Sequence, residues 1–185
     1  RDRSKTMEGK RYSNDVLVGN EAFERLNHRI TTARYRPRKV ILRGNHENRI
    51  ERAIESDAKL DGALSMKHLD TLDWECCPFL ERVWIDGIIY SHYFQQQNSP
   101  HAIGGSVDNR LNRIGDSFVQ GHQQGFLYGN RVYPTGRTRH GLVAGSFYLH
   151  NENYKGRQGN DHWRGIVVLN AVSRGDYGVM PLDMK

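Results

Sequence analysis

Cysteine is scarce in this chain of 185 residues, and the two that occur, Cys76 and Cys77, are neighbours. Adjacent cysteines cannot close the loops of a disulfide framework. That excludes the small disulfide-stapled class and fits a reducing compartment, so a cytoplasmic protein is expected. Ahead of Pro78 the pair reads as small buried hydrophobes. No apolar run approaches the roughly 20 residues of a membrane-crossing helix, no secretory leader is legible, and no internal repeat is evident; no membrane partner is expected. Hydrophobic residues at 37% and charged residues at 26% are ordinary for a chain able to bury a normal core. A single domain over 1–185 is the expectation.

Charge is not balanced. The formal net charge of +6 tilts toward an anionic partner. Arginine and lysine recur at Arg34, Arg36, Arg38 and Lys39, at Arg110 and Arg113, at Arg137 and Arg139, and at Lys155 and Arg157. Such clusters form either a phosphate-facing surface or a merely solvated basic face.

Periodicity supplies a coarse architecture. Residues 11–33, with Val16, Val18, Phe23, Leu26 and Ile30 among charges, predict a helix, and 47–56 predict a second. Val40–Leu42 is a short buried strand, and 80–85 and 88–94 predict a hairpin about Asp86-Gly87. The polar, breaker-rich stretch 95–106 reads as an active-site loop, followed by a helix over 107–114. Strands are expected near 131–133, 142–149 and 166–172, divided by Pro134-Thr135-Gly136 and Arg174-Gly175-Asp176. The long polar and aromatic stretch 151–163 reads as a surface loop or as a lid carrying Lys155, Arg157 and His162.

Three apolar runs end in residues that carry chemistry. The first is Val40-Ile41-Leu42-Arg43-Gly44-Asn45-His46-Glu47, the second Ile88-Ile89-Tyr90-Ser91-His92, and the third Ser117-Phe118-Val119-Gln120-Gly121-His122-Gln123-Gln124. Asn45 offers a hard oxygen donor, and the histidines offer ring nitrogens suited to Mn²⁺, Fe or Zn. Ligands gather at strand carboxyl ends in open α/β layers, so Asn45, His92 and His122 are candidates to converge. A lone histidine at a strand end is usually a packing residue; three chemistry-bearing strand ends are harder to explain that way.

With these motifs in place, the chain resembles the calcineurin-like metallophosphoesterases, and from Gly141 to His150 and at His162-Trp163-Arg164-Gly165 it looks like their phage-encoded branch. Gly44-Asn45-His46-Glu47 matches the family's Gly-Asn-His-Asp/Glu block. His92 matches its single histidine, and Gly121-His122-Gln123-Gln124 its Gly-His-x-His block with glutamine last. The family's Asp-x-His and Gly-Asp-x-x-Asp blocks do not occur within residues 1–39. Gly115-Asp116 lies too late and lacks the second aspartate. The resemblance implies an α/β fold, a layered two-sheet sandwich flanked by helices, here lacking its first β-α-β unit in an N-terminally truncated domain. It implies metal-dependent hydrolysis of phosphate esters, with a divalent ion (Mn²⁺ first; Fe, Zn or Ni as alternatives) held by Asn45, His92 and His122. Gln124 stands where the family gives a histidine to the other metal, so a two-metal site is expected only with the missing motifs. His46 is implied as proton donor to the leaving group, oriented by Glu47, and Arg43 as a phosphate ligand unless it pairs with a nearby carboxylate. The isolated chain is expected to be weak or inactive.

A phosphodiesterase or nuclease-like phosphatase acting on a nucleic acid or nucleotide is favoured. Arg43-Gly44-Asn45-His46-Glu47 also resembles the block of protein serine/threonine phosphatases, but Tyr93-Phe94 follows His92 where those enzymes carry Gly-Gly. The remaining alternative is a non-catalytic binding or structural module built on a phosphoesterase.

Overall fold

A computed structural model describes residues 11–152 and 155–184, which form a mixed α/β structure of four α-helices and nine strands. The chain divides into two compact units, one up to Phe79 and one from Leu80, a finer partition than the single domain expected from length. Each is described by itself. Among the described residues no helix is long and apolar enough to cross a membrane.

In the first unit, helix α1 (Tyr12–Thr32) is bound along one face to the 65–74 segment. Tyr12 donates its hydroxyl to the Ser65 carbonyl at 3.1 Å. Asn20 donates to the His68 carbonyl and accepts from the Asp70 amide. Phe23 packs on Trp74 with ring centroids 4.9 Å apart, and Asn27 accepts from the Trp74 indole at 3.0 Å. These positions share a helical face because they fall close to whole turns. Strand β1 (Val40–Leu42) pairs in parallel with β2 (Glu75–Cys77), which places Cys76 beside Ile41 and buried Cys77 beside Leu42. Helix α2 (Asn48–Ser56) follows β1 after the Gly44 turn.

In the basic stripe ahead of β1, Arg36, Arg38 and Lys39 have partners within the first unit. Arg36 donates to the Thr31 and Ala33 carbonyls at the end of α1. Arg38 grips the Glu75 carboxylate through Nε and Nη2, at 2.9 and 2.7 Å, and Lys39 pairs with Asp73.

The second unit is built on a five-stranded sheet in the order β3-β4-β5-β7-β6. Strands β3 (Val83–Ile85) and β4 (Ile88–Ser91) form the predicted hairpin. Its turn residues Asp86 and Gly87 have φ of 52° and 81°, the two left-handed positions of the turn that suits a twisted hairpin. Helix α3 (Val107–Ile114) crosses to β5 (Phe118–Gln120), parallel to β4. Ser106 caps α3 by accepting from the Asn109 amide, and Gly115 ends it in the left-handed conformation, a standard stop signal. Strand β7 (Thr138–Ala144) lies parallel to β5, and β6 (Phe126–Val132) closes the edge antiparallel.

Both sheet faces are covered. On one, Ile89, Phe94, Ile103, Leu111 and Phe118 form a core with Val107 and Ile114. On the other, an antiparallel hairpin of β8 (Gly165–Ser173) and β9 (Asp176–Asp183) presents Val167, Leu169, Tyr177 and Val179 to Ile88 and Leu142. Burial lifts the Tyr177 hydroxyl far above the usual phenol range, so it stays protonated and donates to the Phe118 carbonyl at 3.1 Å. The strand expected near 131–133 falls at the end of β6, that expected over 142–149 overlaps β7 only at 142–144, and β9 was not predicted. A short helix α4 (Gly156–Asn160) precedes β8.

Phe118 is fully buried between α3 and the sheet that carries the next residues of interest. Phe118→Ala is expected to cost about 3–5 kcal/mol, whereas Val132→Ala, 69% exposed, should stay within about 0.5 kcal/mol. Urea unfolding checks both; equal losses would mean that the core lies elsewhere.

Candidate metal centre

Because β4 and β5 run parallel with Ser91 opposite Gln120, the residues just beyond them emerge at the same end of the sheet. His92 follows Ser91 directly, and His122 follows Gln120 after one glycine. The structure brings these two predicted residues together: Nδ1 of His122 lies 3.2 Å from Nε2 of His92, with the rings edge to face at 75°. The Tyr93 ring packs against both, its centroid 4.8 Å from that of His122 and 5.8 Å from that of His92.

The backbone at His122 is unusual for a histidine. Its φ is +65°, and the Gln123 amide bonds back to the Gly121 carbonyl at 2.7 Å, which closes a tight three-residue turn around it. Left-handed backbone costs a side-chain-bearing residue about 1–2 kcal/mol, and such strain persists where the surroundings hold it in place. Here the hold comes from Arg110 on α3. Its side chain, 1% exposed, donates to the Ile103 and Gly105 carbonyls at 2.9 and 3.0 Å and to the Gln123 side chain at 2.6 Å. Arg110 was grouped with surface cations from sequence; it is instead a buried tie between α3 and the turn carrying His122. No spacing rule marks it, although the polar Gln123 beside a predicted ligand is a weak hint.

Gln124 is half-buried beyond this turn, and its backbone carbonyl accepts from the Ser146 hydroxyl at 3.1 Å. The expected decoy Gly115-Asp116 serves structure: Gly115 caps α3 and Asp116 pairs with Arg139 at 3.0 Å. Residues 151–163, read as a surface loop or a lid, are held at several of their described positions. Arg164 donates to Leu149, Asn151 and Asn160, and Asn160 bridges Glu152 and Gly156. His150 faces Glu152 at 3.3 Å, and His162 Nδ1 lies 3.3 Å from the Gly159 carbonyl.

The other predicted site residues lie in the first unit, on the turn from β1 into α2. Gly44 is buried, Asn45 and Glu47 are half-buried, and His46 is exposed. Glu47 reaches back to accept the Gly44 amide at 2.7 Å, the three-residue return of a capping contact. Glu47 was expected to orient the His46 imidazole; the contact its carboxylate makes in the structure is to the Gly44 amide, which fixes the turn. Arg43 takes the carboxylate alternative, pairing with Glu51 at 3.6 Å, and its Nε donates to the Cys76 sulfur at 3.1 Å.

Among the described residues no group of three or more His, Cys, Asp or Glu side chains is arranged to hold a metal ion. The fit to a metal therefore rests on the histidine pair. Two imidazoles bonded to one cation at about 2.1 Å each bring their nitrogens to roughly the observed spacing, and imidazole suits Zn, Fe, Ni and related ions. Comparison of the chain with protein-family models, with curated proteins and with solved structures found no match.

Two outcomes follow from the turn. His122→Gly should be more stable than His122→Ala by about 1 kcal/mol, because only glycine is unstrained at this φ; equal urea midpoints would place residue 122 outside the left-handed region. Arg110→Met leaves three acceptors without their donor and should cost about 3 kcal/mol. Hydrogen exchange should accelerate at Gly121–Gln123 in that variant, and unchanged protection there would contradict the tie.

Proposed function

We propose that the chain is a metallophosphoesterase-like layered sandwich that hydrolyses phosphate esters, diesters in preference to monoesters, with Mn²⁺ as the first-choice ion. One observation carries this reading: two imidazoles opposed at 3.2 Å beyond adjacent parallel strand ends, one of them on a strained turn. A packing histidine gains nothing from a left-handed backbone, whereas a ligand aimed at a shared ion does.

In this reading His92 and His122 are the nitrogen donors, and Asn45 supplies an oxygen donor by motif order alone. A bound divalent cation supplies polarisation of a phosphoryl oxygen and a lowered pKa for water. His46, exposed on its turn, protonates the departing oxygen, a contribution typically of about 10²–10⁴-fold. Glu47 keeps the turn that carries it closed, through the Gly44 amide. Gln124 offers an amide oxygen, a weaker donor than imidazole, so a second ion is held poorly. Substrates of nucleotide or nucleic-acid type fit the positive charge. A non-catalytic binding module is the second reading, favoured by the want of a three-ligand cluster among the described residues.

Calorimetry of the 185-residue chain with Mn²⁺ should give one weakly bound ion, lost in His92→Ala and in His122→Ala and retained in His46→Ala. Hydrolysis of bis-p-nitrophenyl phosphate should be slow and fall at least tenfold in His46→Ala. Metal binding without hydrolysis favours the binding module, and two tightly bound ions per chain would require ligands other than these. Gln124→His should tighten uptake of a second ion and shift preference toward Zn²⁺; an unchanged titration would mean that residue 124 does not face the site.

A further inference from the structure

Behind Tyr93 the second unit holds a cavity of about 360 Å³, within the size range of small-molecule sites. Ile89, Phe94, Ile103 and Ile114 are the apolar part of its lining, here called its floor, and Arg82 and Arg113 line it as well. Tyr93 lines the cavity and also packs against His92 and His122, so the hollow adjoins the histidine pair with one aromatic ring between. The ordered 94–103 loop encloses it: the Ile103 amide bonds the Phe94 carbonyl at 2.7 Å, and the Gln96 amide the His101 carbonyl at 3.0 Å.

The chemistry of the wall is mixed in a particular way. Ile89, Phe94 and Ile103 belong to the buried core. Among the described residues neither Arg82 nor Arg113 has a carboxylate partner; Arg82 lies over the Trp84 ring at 5.6 Å. Two unpaired guanidiniums above an apolar and aromatic floor match a ligand with a flat, poorly hydrated ring and an anionic phosphate. Guanidinium binds phosphate bidentately, and bases stack on aromatic side chains. An inorganic anion would leave the floor bare, and an apolar ligand would leave both cations unmatched.

We propose that this cavity binds a nucleoside phosphate, its base against Tyr93 and the Phe94–Ile103 floor and its phosphate at Arg82 and Arg113. The proposal rests on the phosphoesterase reading insofar as the occupant is part of that reaction's substrate, and it makes the cavity the determinant of which ester is accepted.

Binding of adenosine 5′-monophosphate to metal-free protein, followed by calorimetry and by isoleucine methyl NMR, tests it without any hydrolysis. The expected result is affinity at least tenfold above that for inorganic phosphate, with shifts at Ile89, Ile103 and Ile114. The exposed double substitution Arg82→Ala with Arg113→Ala should weaken AMP at least tenfold and leave both the unfolding midpoint and Mn²⁺ uptake unchanged. Ile114→Trp, which fills the cavity, should abolish AMP binding and retain phosphate binding. AMP binding no tighter than phosphate, or unmoved isoleucine methyls, overturns the assignment. AMP binding in a chain that hydrolyses nothing would sink the phosphoesterase reading and leave this one standing; hydrolysis of bis-p-nitrophenyl phosphate without AMP binding would do the reverse.

Discussion

Parallel pairing of β4 with β5 is the constraint on which the histidine pair depends. Ser91 opposite Gln120 fixes the level at which His92 and His122 leave the sheet, and a shift of one residue would turn every side chain to the opposite face. The register is held from both sides. Phe118, Ile89 and Leu111 lock it beneath α3, and Ile88, Leu142 and Tyr177 lock it beneath the β8-β9 hairpin. The geometry of the histidine pair therefore leans on core packing that lies well away from the imidazoles.

A second layer of control acts on His122 alone. The tight turn around it is anchored by Gln123, Gln123 by Arg110, and Arg110 by two carbonyls of the loop entering α3. The same loop region, through Ile103, closes the cavity behind Tyr93. The proposed ligand geometry and the proposed cavity site thus share one support, and a substitution at Arg110 is expected to disturb both.

What was legible in the sequence was local. Apolar runs ending in histidine marked β4 and β5, Asp86-Gly87 marked the hairpin turn, and residues 107–114 marked α3. Strand β9 escaped because Gly178 and Pro181 break its strand pattern, while its pairing with β8 overrides that local weakness. Strand β2 escaped because Glu75-Cys76-Cys77 is too short to show a period. Side-chain roles were less accessible still. Arg110 and Arg113 are three residues apart on one helix, yet one is a buried tie and the other an exposed cation, a difference set by which loop folds over them. Glu47 stands beside His46 in sequence but bonds the Gly44 amide, because helix starts favour a backward reach to an unpaired N–H.

The central claim is that His92 and His122 share one divalent cation. Pulsed electron paramagnetic resonance of the Mn²⁺-loaded chain addresses it directly, since nitrogen bound to Mn²⁺ modulates the electron spin echo. The account predicts coupling from two imidazole nitrogens, lost together with the bound ion in His92→Ala and in His122→Ala. A spectrum with no nitrogen coupling, or one that neither substitution alters, would contradict it.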